Sequence, residues 1–191
     1  MIEYLEEYEN VLDEDICEKI IQKFLSEKNK HQGVTARGLN KTIKNTTDFH
    51  FKNNYNDEEW IKYDKILFEA LNKCLNQYRE KYKAIQLSFK DLDDTGFQIQ
   101  QYEKNVGFYV DHHDFEINQN NKTYRVLTFL FYLNNVDEGG ETDFLLGRLL
   151  VKPTTGKCVI FPASWTFPHK GCMPISNDKF IITGWVYTKS M

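Results

Sequence analysis

The chain has 191 residues, of which 41% are hydrophobic, 27% charged and 15% aromatic, a balance that suits one well-buried globular core and excludes a disordered chain. Its formal net charge of −4 supplies no basic field to hold nucleic acid by neutralising phosphates. No apolar run approaches the roughly 20 residues that span a bilayer, and the acidic start Ile2-Glu3-Tyr4-Leu5-Glu6-Glu7 carries no signal-peptide core. A cytoplasmic protein with neither a membrane nor a nucleic-acid partner is expected.

In chain order, Asp13 is placed to cap a first helix whose apolar stripe is Ile16, Ile20, Ile21, Phe24 and Leu25. Residues 26–54 are polar and poorly periodic, and read as loops with at most one short strand. Asn56 is expected to cap a second, long helix with Trp60, Tyr63, Leu67, Leu71, Cys74, Leu75 and Tyr78 along one side. Both stripes are read as packing surfaces. From Thr95 onward the texture turns to short β-type runs at 97–102, 107–113, 124–134, 149–151, 157–161 and 180–187, separated by turn signals such as Glu138-Gly139-Gly140 and Pro153-Thr154-Thr155-Gly156. Short strands at this spacing predict a β-sandwich or small barrel with the helices on one outer face. The helical stripes would be uncovered alone, so residues 1–191 are expected to form a single domain, with 1–94 as helical support and 95–191 as the β core.

Four cysteines, Cys17, Cys74, Cys158 and Cys172, are scattered without a CxxC pair. Without an export signal they are read as reduced core residues rather than a disulfide framework. Cys158 and Cys172 flank His169 and raise a zinc site as an alternative, though neither belongs to a chelating pair.

The chemistry-bearing run is Val110-Asp111-His112-His113-Asp114. On a strand, residues two apart share a face, so His112 and Asp114 can present an imidazole and a carboxylate together; Asp111 with His113 can do so on the opposite face. A third ligand from a distant strand would complete a facial triad suited to non-haem Fe(II), and His169 is the one imidazole beyond His113. In the last strand Lys179, Ile181, Thr183 and Trp185 share one face. A lysine heading an apolar strand is costly to bury unless it meets an anion.

The ordered run Tyr102, His112-His113-Asp114, Arg125, Thr128, Tyr132-Leu133-Asn134, Glu138-Gly139-Gly140-Glu141-Thr142, Phe144, Pro153, Gly156, Phe161, His169, Lys179 and Trp185 resembles the catalytic core of prolyl 4-hydroxylase-type Fe(II)/2-oxoglutarate-dependent oxygenases. The resemblance covers the C-terminal half; the helical half is matched only loosely. It implies an α+β fold, a double-stranded β-helix (jelly-roll) core with supporting N-terminal helices. It also implies that His112, Asp114 and His169 ligate iron, histidine first and carboxylate second, which favours this pair over Asp111 with His113. Lys179 would hold the distal carboxylate of 2-oxoglutarate, with Tyr102, Tyr132 and Thr183 as further hydroxyl contacts and ascorbate as reductant.

The activity so implied is hydroxylation of an unactivated C–H, foremost C4 of a prolyl residue in a protein or peptide, with release of succinate and CO2. A free amino-acid hydroxylase and a non-catalytic jelly-roll binding module are the alternatives. An oxidative nucleic-acid demethylase is disfavoured, because no arginine follows Arg148 and the chain is acidic. Residues 33–54 and 115–122 are expected near the pocket mouth as candidate lids. Trp165, Phe167 and the strand 127–133 are candidates to line the pocket, with core packing as the default for most of them.

Overall fold

A computed structural model describes residues 2–35, 38–54, 56–83, 85, 92–120 and 122–189. Ala36, Arg37 and Asn121, which belong to the two expected lid segments, lie outside the described residues. The elements run β1 (Glu6–Tyr8), α1 (Glu14–Ser26), β2 (His31–Gln32), β3 (Lys44–Asn45), β4 (Thr47–His50), a 3-10 turn (Phe51–Asn54) and α2 (Glu58–Lys81). Then come β5 (Leu92–Asp94), β6 (Gln98–Tyr102), β7 (Phe108–His112), β8 (Ile117–Asn118), β9 (Thr123–Tyr132), β10 (Thr142–Phe144), β11 (Leu149–Val151), β12 (Cys158–Pro162), β13 (His169–Gly171) and β14 (Lys179–Lys189).

Two antiparallel sheets face each other. The larger has the order β1-β12-β9-β14-β6-β4-β2, with β5 and β8 attached to β14 and β9; the smaller has the order β11-β10-β13-β7-β3. This is the expected α+β jelly-roll. Alternation along the central strands sorts the side chains. Leu127, Phe129, Phe131, Ile182, Phe180, Ile99 and Phe49 point outward and meet Phe24, Trp60, Leu67, Leu71 and Tyr78 from the helices in one continuous core. Leu130, Tyr132, Ile181, Tyr102 and Val159 point inward, closing one end of the space between the sheets with Leu5, Phe144, Val151 and Phe161. The other end stays open.

Several local expectations change. The N-cap of α2 is Asp57, not Asn56: the Asp57 carboxylate accepts the amides of Glu59 and Trp60. Asp13 does precede α1, but its side chain makes no capping bond, and Leu25, expected on the buried stripe, is 43% exposed. The segment expected to be mostly loop contributes β2, β3 and β4, and β4 pairs with β6 in the larger sheet. Polar composition hid these strands because their inward side chains, Lys44, Asp48 and His50, satisfy one another or face the cavity. Gly139 and Gly140 take the positive φ expected of the turn (68° and 74°), and Thr142 already opens β10.

Candidate active site

The open end is a cavity of about 350 Å³ whose lining includes His112, Asp114, His169, Tyr102, Thr183 and Trp185. Strand pairing brings the two imidazoles together: β13 lies between β10 and β7, with His169 directly opposite His112, and Asp114 follows two residues after the end of β7. The donor atoms of His112, Asp114 and His169 lie within 4.8 Å of one another. His112 Nε2 is 3.8 Å from Asp114 Oδ1, and His169 Nε2 is 3.5 Å from Asp114 Oδ2. Asp111 and His113 are both exposed, so that alternative pair does not converge. No cysteine joins the cluster among the described residues; Cys158 is buried with Cys74 in the core against the helices, so the zinc reading has no geometry behind it.

The surroundings prepare these groups as ligands. His112 Nδ1 bonds the carbonyl of Val110 at 2.8 Å, and His169 Nδ1 bonds that of Phe167 at 3.1 Å. A carbonyl can only accept, so each Nδ1 carries the proton and each Nε2 presents a lone pair inward. Burial, then the neighbouring His169, pushes the His112 pKa down, which keeps the imidazole neutral. Burial pushes Asp114 up, but both imidazoles and the Thr128 hydroxyl, which donates to Oδ2 at 2.8 Å, outweigh it and hold the carboxyl below its ordinary value. A neutral imidazole and a charged carboxylate are the forms that bind a divalent cation.

Tyr109 stacks on His112 with ring centroids 3.5 Å apart. Residues three apart on a regular strand face opposite ways; here the register shift between His169 and Gly171 adds a residue to β7, and Tyr109 and His112 both face the cavity. Sequence periodicity carries no trace of such a bulge, which is why Tyr109 was missed.

Lys179 is 1% exposed and is not on the cavity wall; it packs against Tyr102, which is. Its Nζ donates to Gly140 O at 2.8 Å and sits 4.0 Å from the centre of the Tyr102 ring. No carboxylate among the described residues lies within ion-pair distance of it, and burial pushes its pKa down to about 7. The next residues on its face, Ile181, Thr183 and Trp185, line the cavity. Tyr102 also reaches it and donates to Gln100 Oε1 at 3.3 Å, and its ring fits because residue 171 is glycine: a Cβ there would lie 2.7 Å from Tyr102 Cε1. Thr183 Oγ1 donates to Phe129 O. Tyr132 stands one layer back, fully buried, with its hydroxyl 2.7 Å from the hydroxyl of Thr142, which does line the cavity.

The candidate lining differs in part. Trp165 is 70% exposed and is not on the wall, and of strand 127–133 Leu130 alone reaches it. The wall instead mixes apolar residues with Lys44, His50, Gln98, Gln100 and Tyr109 besides the triad. At the mouth stand Val34, Thr35, Phe115 and Glu116, from the two segments expected there. Arg125 pairs with Glu116 and sits over Trp185, its Cζ 3.6 Å from the ring centre.

Three convergent N/O donors between jelly-roll sheets, with a buried lysine that has no counter-ion among the described residues packed on Tyr102 of the same wall, fit Fe(II) and a keto-diacid such as 2-oxoglutarate. Residues 97–187 match the family model of the 2OG-Fe(II) oxygenase superfamily. Over those residues the chain is similar to that superfamily and, within it, to prolyl 4-hydroxylases. It is 33% identical over 119 residues to prolyl 4-hydroxylase 1 of Arabidopsis thaliana, covering 49% of this chain and 41% of that one, so it spans about two-fifths of this curated relative.

Among solved structures, the viral collagen prolyl hydroxylase of Paramecium Bursaria Chlorella virus-1 in its 2OG complex superposes with a TM-score of 0.69 at 19% identity, covering 98% of this chain and 97% of that one. A Trichoplax adhaerens prolyl hydroxylase in complex with a hypoxia inducible factor peptide gives 0.72 at 17% identity, over 97% and 84%. At these identities the structures speak to the fold. Among the described residues no helix is long and apolar enough to cross a membrane.

Proposed function

We propose that the chain hydroxylates a prolyl residue of a protein or peptide at C4, consuming 2-oxoglutarate and O2 and releasing succinate and CO2, with ascorbate keeping the metal ferrous. In this reading His112, Asp114 and His169 hold Fe(II), and Lys179 holds the distal carboxylate of 2-oxoglutarate. When bound, the metal and the keto-diacid supply the oxidising chemistry that inserts one oxygen atom into a C–H bond.

The chain's own share is geometric and electrostatic. Val110 O and Phe167 O orient the two imidazoles, and Thr128 fixes Asp114. Tyr102, and Thr142 backed by Tyr132, shape the wall next to Lys179, while Thr183, whose hydroxyl donates to Phe129 O, lines the same cavity further along β14. Trp185, backed by Arg125, gives the mouth a flat rigid face on which a five-membered ring can pack.

The observation that carries this reading is the buried Lys179 ammonium, which has no carboxylate partner among the described residues and packs on Tyr102 in the wall of the cavity that the triad also lines. The test is to incubate the protein with Fe(II), ascorbate and 2-oxoglutarate, with and without prolyl peptides. Succinate and the peptide mass are then measured against a His169→Ala control. Succinate and a product heavier by one oxygen atom are expected only with intact His169. A wild-type protein that matches the control would return the cavity to a binding module.

A further inference from the structure

The cavity has a second buried lysine that the iron and cosubstrate do not use. Lys44, on β3 at the edge of the smaller sheet, is 3% exposed and lines the wall. It belongs to a cross-strand row with Tyr109, Gly171 and Thr142, all of which face the cavity. Its Nζ donates to Asp48 Oδ2 at 2.7 Å and lies 5.4 Å from the centre of the Tyr109 ring, the ring that stacks on His112. Lys44 therefore stands one aromatic ring away from a ligand of the proposed metal.

Asp48 is fully buried and does not line the cavity. Besides Lys44 it accepts Gln98 Nε2 and Thr46 Oγ1, each at 2.7 Å. Gly33 closes over the cluster: a Cβ there would lie 2.1 Å from Thr46 Oγ1 and 2.9 Å from Lys44 Cε. A buried ion pair is a poor source of stability, since apolar residues of similar volume do as well or better. Stability thus gives little reason for this pair, whereas its placement does: Lys44 lines the cavity and Asp48 does not.

The two lysines consequently offer different things. Lys179 has no counter-ion among the described residues and calls for a carboxylate. Lys44 has its charge cancelled by Asp48 but keeps ammonium hydrogens beyond the one given to Asp48. A neutral amide carbonyl can accept one of them without penalty. A carboxylate brought to the same place would meet Asp48 on the same ammonium and be repelled, strongly so in a sheltered site. Arg125, at the mouth, is likewise already paired, with Glu116.

We propose that Lys44, with its charge cancelled by Asp48, is a specificity-determining residue that receives the main-chain carbonyl of the target residue in a peptide and discriminates against the same residue bearing a free α-carboxylate. This rests on the reading of the cavity as a prolyl hydroxylation site, and it assigns within that site the choice between a residue inside a chain and a free carboxyl end.

The test uses two acetylated dipeptides ending in proline, one closed as the N-methylamide and one left as the carboxylate. Product formation gives kcat/KM for each, and calorimetric titration into protein loaded with Mn(II) and 2-oxoglutarate gives binding without turnover. Wild type should favour the amide at least tenfold in both. Asp48→Asn, which uncovers the charge of Lys44, should shift the ratio toward the carboxylate by at least tenfold. Because Asp48→Asn alone can perturb folding, the double replacement Lys44→Met with Asp48→Leu accompanies it. That protein should keep its thermal shift with 2-oxoglutarate and Mn(II) but lose the amide preference. Equal use of both peptides by wild type, or a ratio unmoved by either replacement, overturns the role of Lys44. If wild type neither binds nor hydroxylates either peptide, the prolyl reading itself falls, and this inference with it.

Discussion

Lys179→Met separates a lysine that waits for an anion from one that merely supports the fold. In the ligand-free protein the ammonium is 1% exposed, has one carbonyl acceptor and has no carboxylate partner among the described residues. A fall in pKa from 10.5 to about 7 corresponds to an upper limit of about 5 kcal/mol against the charged form. Methionine removes that cost, but leaves Gly140 O without its donor, which returns about 1–3 kcal/mol. The ligand-free variant should therefore be more stable than wild type at pH 7, by about 1–3 kcal/mol in urea unfolding.

With Mn(II) and 2-oxoglutarate present the order should reverse, because the variant lacks the charge-assisted bond; affinity for the keto-diacid should fall about 10- to 150-fold. The pH dependence follows from the same group. Between pH 7 and 10.5 the unfolded chain binds the proton that the folded chain has released, so ligand-free stability rises across that window. Anion binding needs the ammonium, so 2-oxoglutarate affinity falls over the same window, by up to about tenfold per pH unit. Calorimetric titration at pH 6.5, 7.5 and 8.5, with Lys179→Met as the flat control, reads this slope. A variant that is less stable without ligand, and binds 2-oxoglutarate like wild type at every pH, would refute the reasoning.

Three other outcomes are expected. Thr128→Val removes the hydroxyl that donates to Asp114 Oδ2 and should weaken Mn(II) binding by about 10-fold or more, as followed by electron paramagnetic resonance, with little change in thermal stability. Gly171→Ala places a Cβ 2.7 Å from the Tyr102 ring; it should lower stability by about 1–3 kcal/mol and weaken 2-oxoglutarate binding more than metal binding, both measurable by titration on one sample. Gly156→Ala forces φ +78° on an L side chain and puts its Cβ 2.3 Å from Leu12 O; far from the cavity, it should lower the urea midpoint through a loss of about 1–3 kcal/mol while leaving succinate formation per folded molecule unchanged.

The sequence by itself determined the parts governed by local rules. Two apolar stripes at helical spacing placed α1 and α2, and alternation with turn residues placed most of the β core. The one-residue gap between His112 and Asp114 put both on one face, and the order of motifs pointed to His169 and Lys179 as their distant partners. What tertiary structure decided was whatever depends on which strand lies beside which. The pairing of β13 with β7, which sets His169 against His112, joins residues more than fifty positions apart, and no local pattern encodes it. The added residue in β7 turned Tyr109 inward against the simple alternation. Polar segments read as loops became β3 and β4 because Lys44 and Asp48 neutralise each other in the interior. A charged residue is interpretable from sequence when the rule is solvent exposure; once buried, its meaning depends on its partner, and only the folded chain supplies that partner.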